Sequence, residues 1–70
     1  MDLIERLRVN QGELNQEEFA ELLGISKATL SLIYAGKRRI GRRVGIRIRQ
    51  LWPGLAYVVA DYLLGDDRGA

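Results

Sequence analysis

An all-α fold, a compact bundle of about five short helices, is predicted for this chain of 70 residues. Apolar residues recur three and four positions apart in successive short segments, which is the spacing of an amphipathic helix. A serine, asparagine or aspartate precedes three of these segments and a glycine follows most of them, as helix caps require. The hydrophobic share of 47% and the charged share of 29% are typical of one compact domain.

Two helix starts near the N-terminus carry the same pair of signals, a short polar cap and a glutamate three residues later. These pairs are Asp2 with Glu5 and Asn15 with Glu18. They predict a first helix from about Leu3 to Val9 and a second that ends at Gly24, where a left-handed residue is favoured. The second helix directs Phe19, Leu22 and Leu23 towards the core.

A third helix is predicted from Lys27 to Ala35, because Ser26 can cap its start and Gly36 can end it. Its inward stripe occupies positions i, i+3 and i+4, with Leu30, Ile33 and Tyr34. The opposite face is small, polar and almost uncharged, with one basic residue at its leading end. This face holds Lys27, Ala28, Ser31, Leu32 and Ala35.

The segment over residues 42–50 is ambiguous between helix and strand. Val44, Ile48 and Leu51 suit a helix, whereas the run VGIRIR alternates as a strand does. Gly45 opposes the helix, because a glycine in a helix interior costs about 1 kcal/mol. A short helix is preferred, since no turn and partner strand follow.

A fifth helix is predicted from Pro53 to about Leu64, just before Gly65. Leu55, Val59 and Leu63 can serve the core. Four further apolar residues are left without an obvious partner, namely Tyr57, Val58, Tyr62 and Leu64. Residues 1–65 are expected to form a single domain, and residues 66–70 a flexible C-terminal tail.

Charge is divided unevenly along the chain, although the net charge is only +2. Residues 1–21 include six acids and two bases, and the last ten residues include three acids and one base. Between them, residues 22–60 hold eight bases and no acid. An uncompensated basic stretch projects a positive field and favours an anionic partner over a merely solvated face.

Several function classes are disfavoured by what the chain lacks. It has no cysteine and no histidine, which excludes disulfides, thiolate chemistry and imidazole metal ligands. Its carboxylates stand beside no base, nucleophile or glycine-rich phosphate loop, so no enzyme, cofactor or small-molecule substrate is expected. No uncharged run reaches the ~20 residues of a bilayer span, and a soluble, cytoplasmic protein without membrane contact is expected.

Two short helices joined by a turn that contains glycine form a helix-turn-helix unit, here over about residues 16–35. A helix fits the major groove of duplex DNA, which is about 12 Å wide. The stretch LNQEEFAELLGISKATLSLIYAGKRRI resembles the DNA-binding unit of phage repressor and Cro proteins and of XRE-type bacterial regulators. The matching features are Leu14-Asn15-Gln16, Ala20, the Gly24-Ile25-Ser26 turn, Leu30 with Ile33, and Ala35-Gly36-Lys37.

This resemblance implies a bundle of the lambda-repressor-like type, with the recognition helix 27–35 in the major groove. The chain departs from the family pattern at Glu13, an apparent extra residue, and in the glycine-rich and arginine-rich segment after Arg39. Some Cro-like proteins turn to strands at that point.

Roles for individual residues also follow from the resemblance. Bases would be contacted by Lys27, Ala28, Thr29, Ser31 and Leu32, and phosphates by Gln16, Lys37, Arg38, Arg39, Arg42 and Arg43. Lys27 can donate to guanine O6 and N7, or it can contact a phosphate instead. Arg47 and Arg49 are expected on a solvated surface.

The sequence therefore predicts a sequence-specific regulator of transcription, a repressor or Cro-like protein that binds double-stranded DNA. It is expected to act as a homodimer on a palindromic operator, through the outward residues of the fifth helix: Tyr57, Val58, Tyr62 and Leu64. The alternative is a protein-interaction adaptor or antitoxin-like module that keeps the fold without base reading, which the bland outer face of the third helix allows. Non-specific binding of RNA or anionic lipid would use the positive field but gives no reason for the capped helix-turn-helix.

Overall fold

The computed structural model describes residues 2–68, and the surroundings of side chains through Gly65. Five α-helices and one short 3₁₀ turn follow one another along the chain. They are α1 (Leu3–Gln11), α2 (Gln16–Leu23), α3 (Lys27–Tyr34), α4 (Arg42–Leu51), the turn Pro53–Leu55 and α5 (Ala56–Arg68). The described residues contain no strand, which confirms the predicted all-α bundle.

The predicted caps at the first two helices are both formed. The Asp2 carboxylate accepts a hydrogen bond from the Glu5 backbone N–H at 2.9 Å, and the Asn15 side-chain Oδ1 accepts one from the Glu18 backbone N–H at 2.8 Å. Each glutamate in turn accepts from the backbone N–H of its cap residue. These reciprocal bonds satisfy N–H groups that a helix start leaves without partners, and so they fix where α1 and α2 begin.

The ends of three helices differ from the sequence-based prediction. α3 ends at Tyr34, one residue before the predicted Ala35, which is its C-cap. α1 continues past Val9 to Gln11 and stops at Gly12, whose φ is +55°. α5 does not end at Leu64 but continues through Gly65 to Arg68. A glycine ends a helix when it turns to positive φ, as Gly12 does; Gly65 instead stays within the helix.

The start of α5 is also displaced, because Pro53 opens a separate 3₁₀ turn and the α-helix itself begins at Ala56.

The longer α5 overlaps the predicted C-terminal tail, because residues 66–68 belong to that helix. Residues 69–70 of the predicted tail lie outside the described residues. The division into a domain of residues 1–65 and a flexible tail of residues 66–70 therefore stays a prediction.

The ambiguous segment is a helix, and its glycine has a packing reason. Gly45 is buried in α4, where an added Cβ would lie 3.1 Å from Val59 Cγ1 and 3.5 Å from Leu63 Cδ1 of α5. The missing side chain allows α4 and α5 to approach closely. This contact offsets the propensity cost that glycine carries in a helix interior.

A single core lies between the helices. Its buried side chains are Leu3, Leu7, Phe19, Ala20, Leu23, Leu30, Ile33, Ile40, Ile48, Leu55 and Val59. Phe19 is fully buried, and its ring lies 5.7 Å from that of Trp52 between centroids. All five helices contribute to this core or pack against it, which holds α3 in place from beneath.

Candidate nucleic-acid interface

The turn between α2 and α3 is built from backbone hydrogen bonds. Gly24 adopts the left-handed conformation, with φ 77° and ψ 27°, and its N–H donates to the Glu21 carbonyl at 3.0 Å. The Ile25 N–H donates to the Ala20 carbonyl at 2.9 Å, and Ser26 caps α3 by accepting from Thr29 N–H at 3.1 Å. These bonds close α2 and open α3 within three residues, so the direction of α3 is set by the backbone.

The outer face of α3 matches the face predicted from the sequence. Leu30 and Ile33 are buried beneath it. The exposed residues are Lys27, Ala28, Ser31, Leu32 and Ala35. Leu32 is 41% exposed although it is apolar, so α3 leaves an apolar side chain in solvent beside small and polar ones.

Thr29 differs from the other predicted base-contacting residues. Its side chain is half-buried, and its hydroxyl accepts a hydrogen bond from the Ser26 hydroxyl at 2.9 Å. Thr29 thus takes part in the cap of α3 as well as lying next to its exposed face.

The basic segment, defined here as residues 37–43, follows directly from α3. Gly36 takes a φ of +75°, and the Lys37 N–H donates to the Leu32 carbonyl at 2.9 Å, which turns the chain away from the helix end. Four exposed basic side chains form no hydrogen bond or ion pair with another described residue: Lys37, Arg38, Arg42 and Arg43. Their charges are available to an external anion.

Arg39 lies apart from these four. Its guanidinium stacks over the Tyr62 ring, 4.4 Å from the centroid, and donates to the Tyr62 carbonyl at 3.5 Å. The structure therefore places Arg39 against α5, with its charged group already in contact with another part of the chain.

Gln16 occupies the first position of α2 and is half-buried. The helix N-terminus there directs backbone N–H groups outwards, which suits a phosphate. Glu17 and Glu18 in the same turn carry charges that oppose an anion, so the neutral amide of Gln16 is the better suited donor.

The profile of the helix-turn-helix family matches residues 4–50, which is 47 of the 70 residues. The chain belongs to the helix-turn-helix family, of the Cro/C1 (XRE) type. This confirms the resemblance drawn from the sequence, and the family is one of DNA-binding transcription regulators, which are not typically enzymes. No curated protein and no solved structure matches the chain significantly.

In this helix-turn-helix protein, the C-terminal end of α3 is anchored to α1 by contacts that the sequence did not indicate. The Tyr34 hydroxyl donates to the Gln11 side-chain carbonyl at 2.7 Å, and Arg8 stacks over the Tyr34 ring at 4.2 Å. Burial raises the pKa of Tyr34 from its ordinary value, and the Arg8 charge lowers it by a smaller amount. The spacing of Tyr34 predicted its inward direction but gave no signal for its polar partners.

Arg47 is a second residue whose polar partner the sequence did not indicate, since it was predicted to lie on a solvated surface. Its side chain is exposed, yet its Nε donates to the Leu22 carbonyl at 3.1 Å. A basic group at the C-terminal end of α2 also suits the helix dipole, so Arg47 joins α4 to the helix-turn-helix.

The predicted dimer residues of α5 fall into two groups. Tyr57 is 88% exposed and Leu64 is 59% exposed, whereas Val58 and Tyr62 are half-buried and pack against the core. Leu64 lines a groove between α4 and α5 together with Ile46, which is 47% exposed. The apolar surface open to a partner is thus on α5 and the adjoining side of α4.

Two further properties concern the described part of the helix-turn-helix protein. Within residues 2–68, no cluster of acidic side chains is arranged to hold a metal ion. None of the helices in that range combines the length and the apolar character that crossing a bilayer requires.

Proposed function

We propose that this helix-turn-helix protein is a sequence-specific regulator, a repressor or Cro-like protein, that binds double-stranded DNA with α3 in the major groove. The observation that carries the proposal is the arrangement of two surfaces that follow each other along the chain. The exposed face of α3 is small and nearly neutral, and the basic segment after it holds four cations that form no hydrogen bond or ion pair with another described residue. A base-reading helix beside phosphate-binding side chains needs this division.

Base contacts in the proposal come from the exposed side of α3. Lys27 stands in the first turn, where a recognition helix approaches the base edges most closely, and it can donate to guanine O6 and N7. Leu32 can contact a thymine methyl group. Ala28 and Ser31 lie between them on the same face, and Thr29 lies at its edge.

Phosphate contacts in the proposal come from both sides of α3. Lys37, Arg38, Arg42 and Arg43 would contact the backbone after α3, and Gln16 would contact it at the start of α2. Arg39 can join them only by leaving Tyr62, so we assign it the weakest phosphate contact of the set.

We propose further that the protein binds a palindromic operator as a homodimer. Tyr57 and Leu64 are exposed apolar side chains on α5, and Ile46 lies beside Leu64 across the groove on α4. A monomer of this size rarely exposes such a patch without a partner. Val58 and Tyr62 would support this contact from beneath, and a two-fold arrangement would place two copies of α3 about one helical turn of DNA apart.

The exposed face of α3 consists mostly of small and uncharged residues, which supports one second candidate, a protein-interaction adaptor or antitoxin-like module. Ala28, Ser31 and Ala35 offer few donors for base edges, and a protein partner could cover such a face. The basic segment favours DNA, because a protein partner has no general need for so many cations in seven residues.

The experiment is a selection of bound sequences from a random pool of double-stranded DNA, followed by affinity measurements against salt. An enriched two-fold symmetric motif is expected. Steep salt dependence without an enriched motif would show that the positive field binds DNA without base reading. Absence of binding at moderate salt would overturn the proposal and direct attention to a protein partner on the same face.

A further inference from the structure

We propose that Tyr62 of α5 is a positioning residue for DNA binding, which holds the basic segment in the arrangement that contacts phosphates. The inference rests on the proposed function, since it concerns how that function depends on α5. The sequence places Tyr62 among the outward apolar residues of α5, whereas the structure directs its side chain to residues 39–40.

Three contacts join Tyr62 to the basic segment. Its hydroxyl accepts a hydrogen bond from the Ile40 backbone N–H at 3.1 Å. The Arg39 guanidinium lies over the Tyr62 ring, 4.4 Å from the ring centroid, and donates a hydrogen bond to the Tyr62 backbone carbonyl at 3.5 Å. One residue of α5 thus contacts both the backbone and a side chain in the middle of the segment.

The position of these contacts explains why they matter for binding. Residues 37–41 belong to no helix, so no regular backbone ladder holds them. Ile40 is 3% exposed, and its buried side chain and its bonded N–H fix the segment at one point. The four cations without a partner among the described residues lie on either side of that point, Lys37 and Arg38 before it and Arg42 and Arg43 after it.

A segment held at its centre presents both pairs of cations in one relative arrangement. If the contacts with Tyr62 are lost, the basic segment samples other arrangements, and only a fraction of the molecules is in the arrangement that binds DNA. The apparent dissociation constant then rises in inverse proportion to that fraction. The number of phosphates contacted together also falls, which lowers the salt dependence of binding.

Tyr62→Phe tests this role with little change elsewhere, because it keeps the ring that packs on the core and stacks on Arg39 and removes only the hydroxyl. Val59→Ala is the matched control, since it destabilises α5 from its buried face, where Val59 lies against Gly45 of α4, and removes no contact of Tyr62 with residues 39–40. Both variants would be compared with the wild type on the selected duplex over a range of salt concentrations, at a temperature where all three are folded. Exchange of the Ile40 amide hydrogen would be followed in the absence of DNA.

For Tyr62→Phe, we expect roughly two- to tenfold weaker binding, the equivalent of one net hydrogen bond, with faster exchange of the Ile40 amide. We also expect the salt slope to flatten by up to about one unit, which corresponds to one phosphate contact. Val59→Ala is expected to lower stability while leaving the slope unchanged.

An unchanged salt slope and affinity in Tyr62→Phe, with wild type binding normally, would overturn the inference and leave the proposed function intact. An equal flattening in Val59→Ala would also overturn it, because the effect would then reflect stability alone. A wild type that binds no duplex would overturn the inference together with the proposed function.

Discussion

The guanidinium of Arg8 in α1 lies 4.2 Å from the ring centroid of Tyr34 at the end of α3. The same guanidinium donates to the Tyr34 carbonyl at 3.4 Å, and the Tyr34 hydroxyl donates back to Gln11 of α1. The C-terminal end of α3 is thereby joined to α1 by polar contacts at its surface. The turn at Gly24 holds the other end, so α3 is fixed at both ends.

Tyr34→Phe is expected to destabilise the protein by about 0.5–1.5 kcal/mol, because it removes the hydrogen bond to Gln11 and keeps the ring. Urea unfolding of both proteins would measure this difference. Tyr57→Phe is the matched control at a concentration where the protein is monomeric, since it then removes a hydroxyl that is exposed and has no partner among the described residues. An equal loss in both variants would contradict a specific role for the Tyr34 hydroxyl.

The cost of Tyr34→Phe is expected to depend on pH. Burial raises the pKa of Tyr34 above its ordinary value of 10.0, so the folded state holds the hydroxyl proton more tightly than the unfolded state does. The stabilisation is therefore complete below about pH 10 and is lost as the pH rises through the folded-state pKa.

The measurement is the difference in unfolding free energy between wild type and Tyr34→Phe, at neutral pH and at about pH 11. Taking the difference removes the effects of the other titrating groups, which both proteins share. A difference that stays constant over this range would contradict a raised pKa.

Local rules were sufficient for most of the fold. The caps at Asp2, Asn15 and Ser26 and the left-handed glycine at position 24 depend on neighbours within a few residues, so the sequence shows them directly. The segment after Arg39 was ambiguous because its alternation is local, whereas its helix is stabilised by the contact of Gly45 with α5. The predicted end of α5 was wrong because the presence of a glycine, here Gly65, does not by itself determine whether its φ becomes positive.

The candidate site was predictable to the same extent. Helical periodicity was enough to give the exposed face of α3, since one buried stripe determines the opposite one. The partners of Arg39 and Arg47 lie more than twenty positions away in the sequence, at Tyr62 and Leu22. No local pattern indicates such a contact. From the basic run alone, Arg39 was therefore assigned the same phosphate-contacting role as the other basic residues of the segment.

Gly45→Val is expected to destabilise the protein by about 1–3 kcal/mol, because the added side chain must displace Val59 across the α4–α5 contact. Thermal or urea unfolding would measure the loss. Gly54→Ala is a suitable control, since an added Cβ there has no neighbour within 4 Å. Combining Gly45→Val with Val59→Ala should cost less than the sum of the two single variants, and strict additivity would argue against direct crowding.

Lys27→Ala and Arg38→Ala are expected to affect DNA binding in different ways. Lys27→Ala should relax base preference at one position in each half-site, at a cost of about 1–3 kcal/mol on the best site. Arg38→Ala should weaken all sequences and flatten the salt slope by roughly one unit. Competition binding against single-base variants of the selected site distinguishes the two effects. If Lys27→Ala weakened binding equally for all these variants, Lys27 would be assigned to a phosphate contact instead of a base contact.

Leu64→Asp is expected to abolish dimer formation and to leave the fold intact, because Leu64 lies in solvent on the proposed contact and a charge there is unfavourable against a second apolar surface. Sedimentation equilibrium, free and with a duplex that carries the full palindrome, would measure the change. Val9→Asp provides the control, since Val9 is 66% exposed on α1 and outside the proposed contact. A wild type that stays monomeric both free and on the palindrome would refute the dimer, whereas dissociation in both variants would place the contact elsewhere.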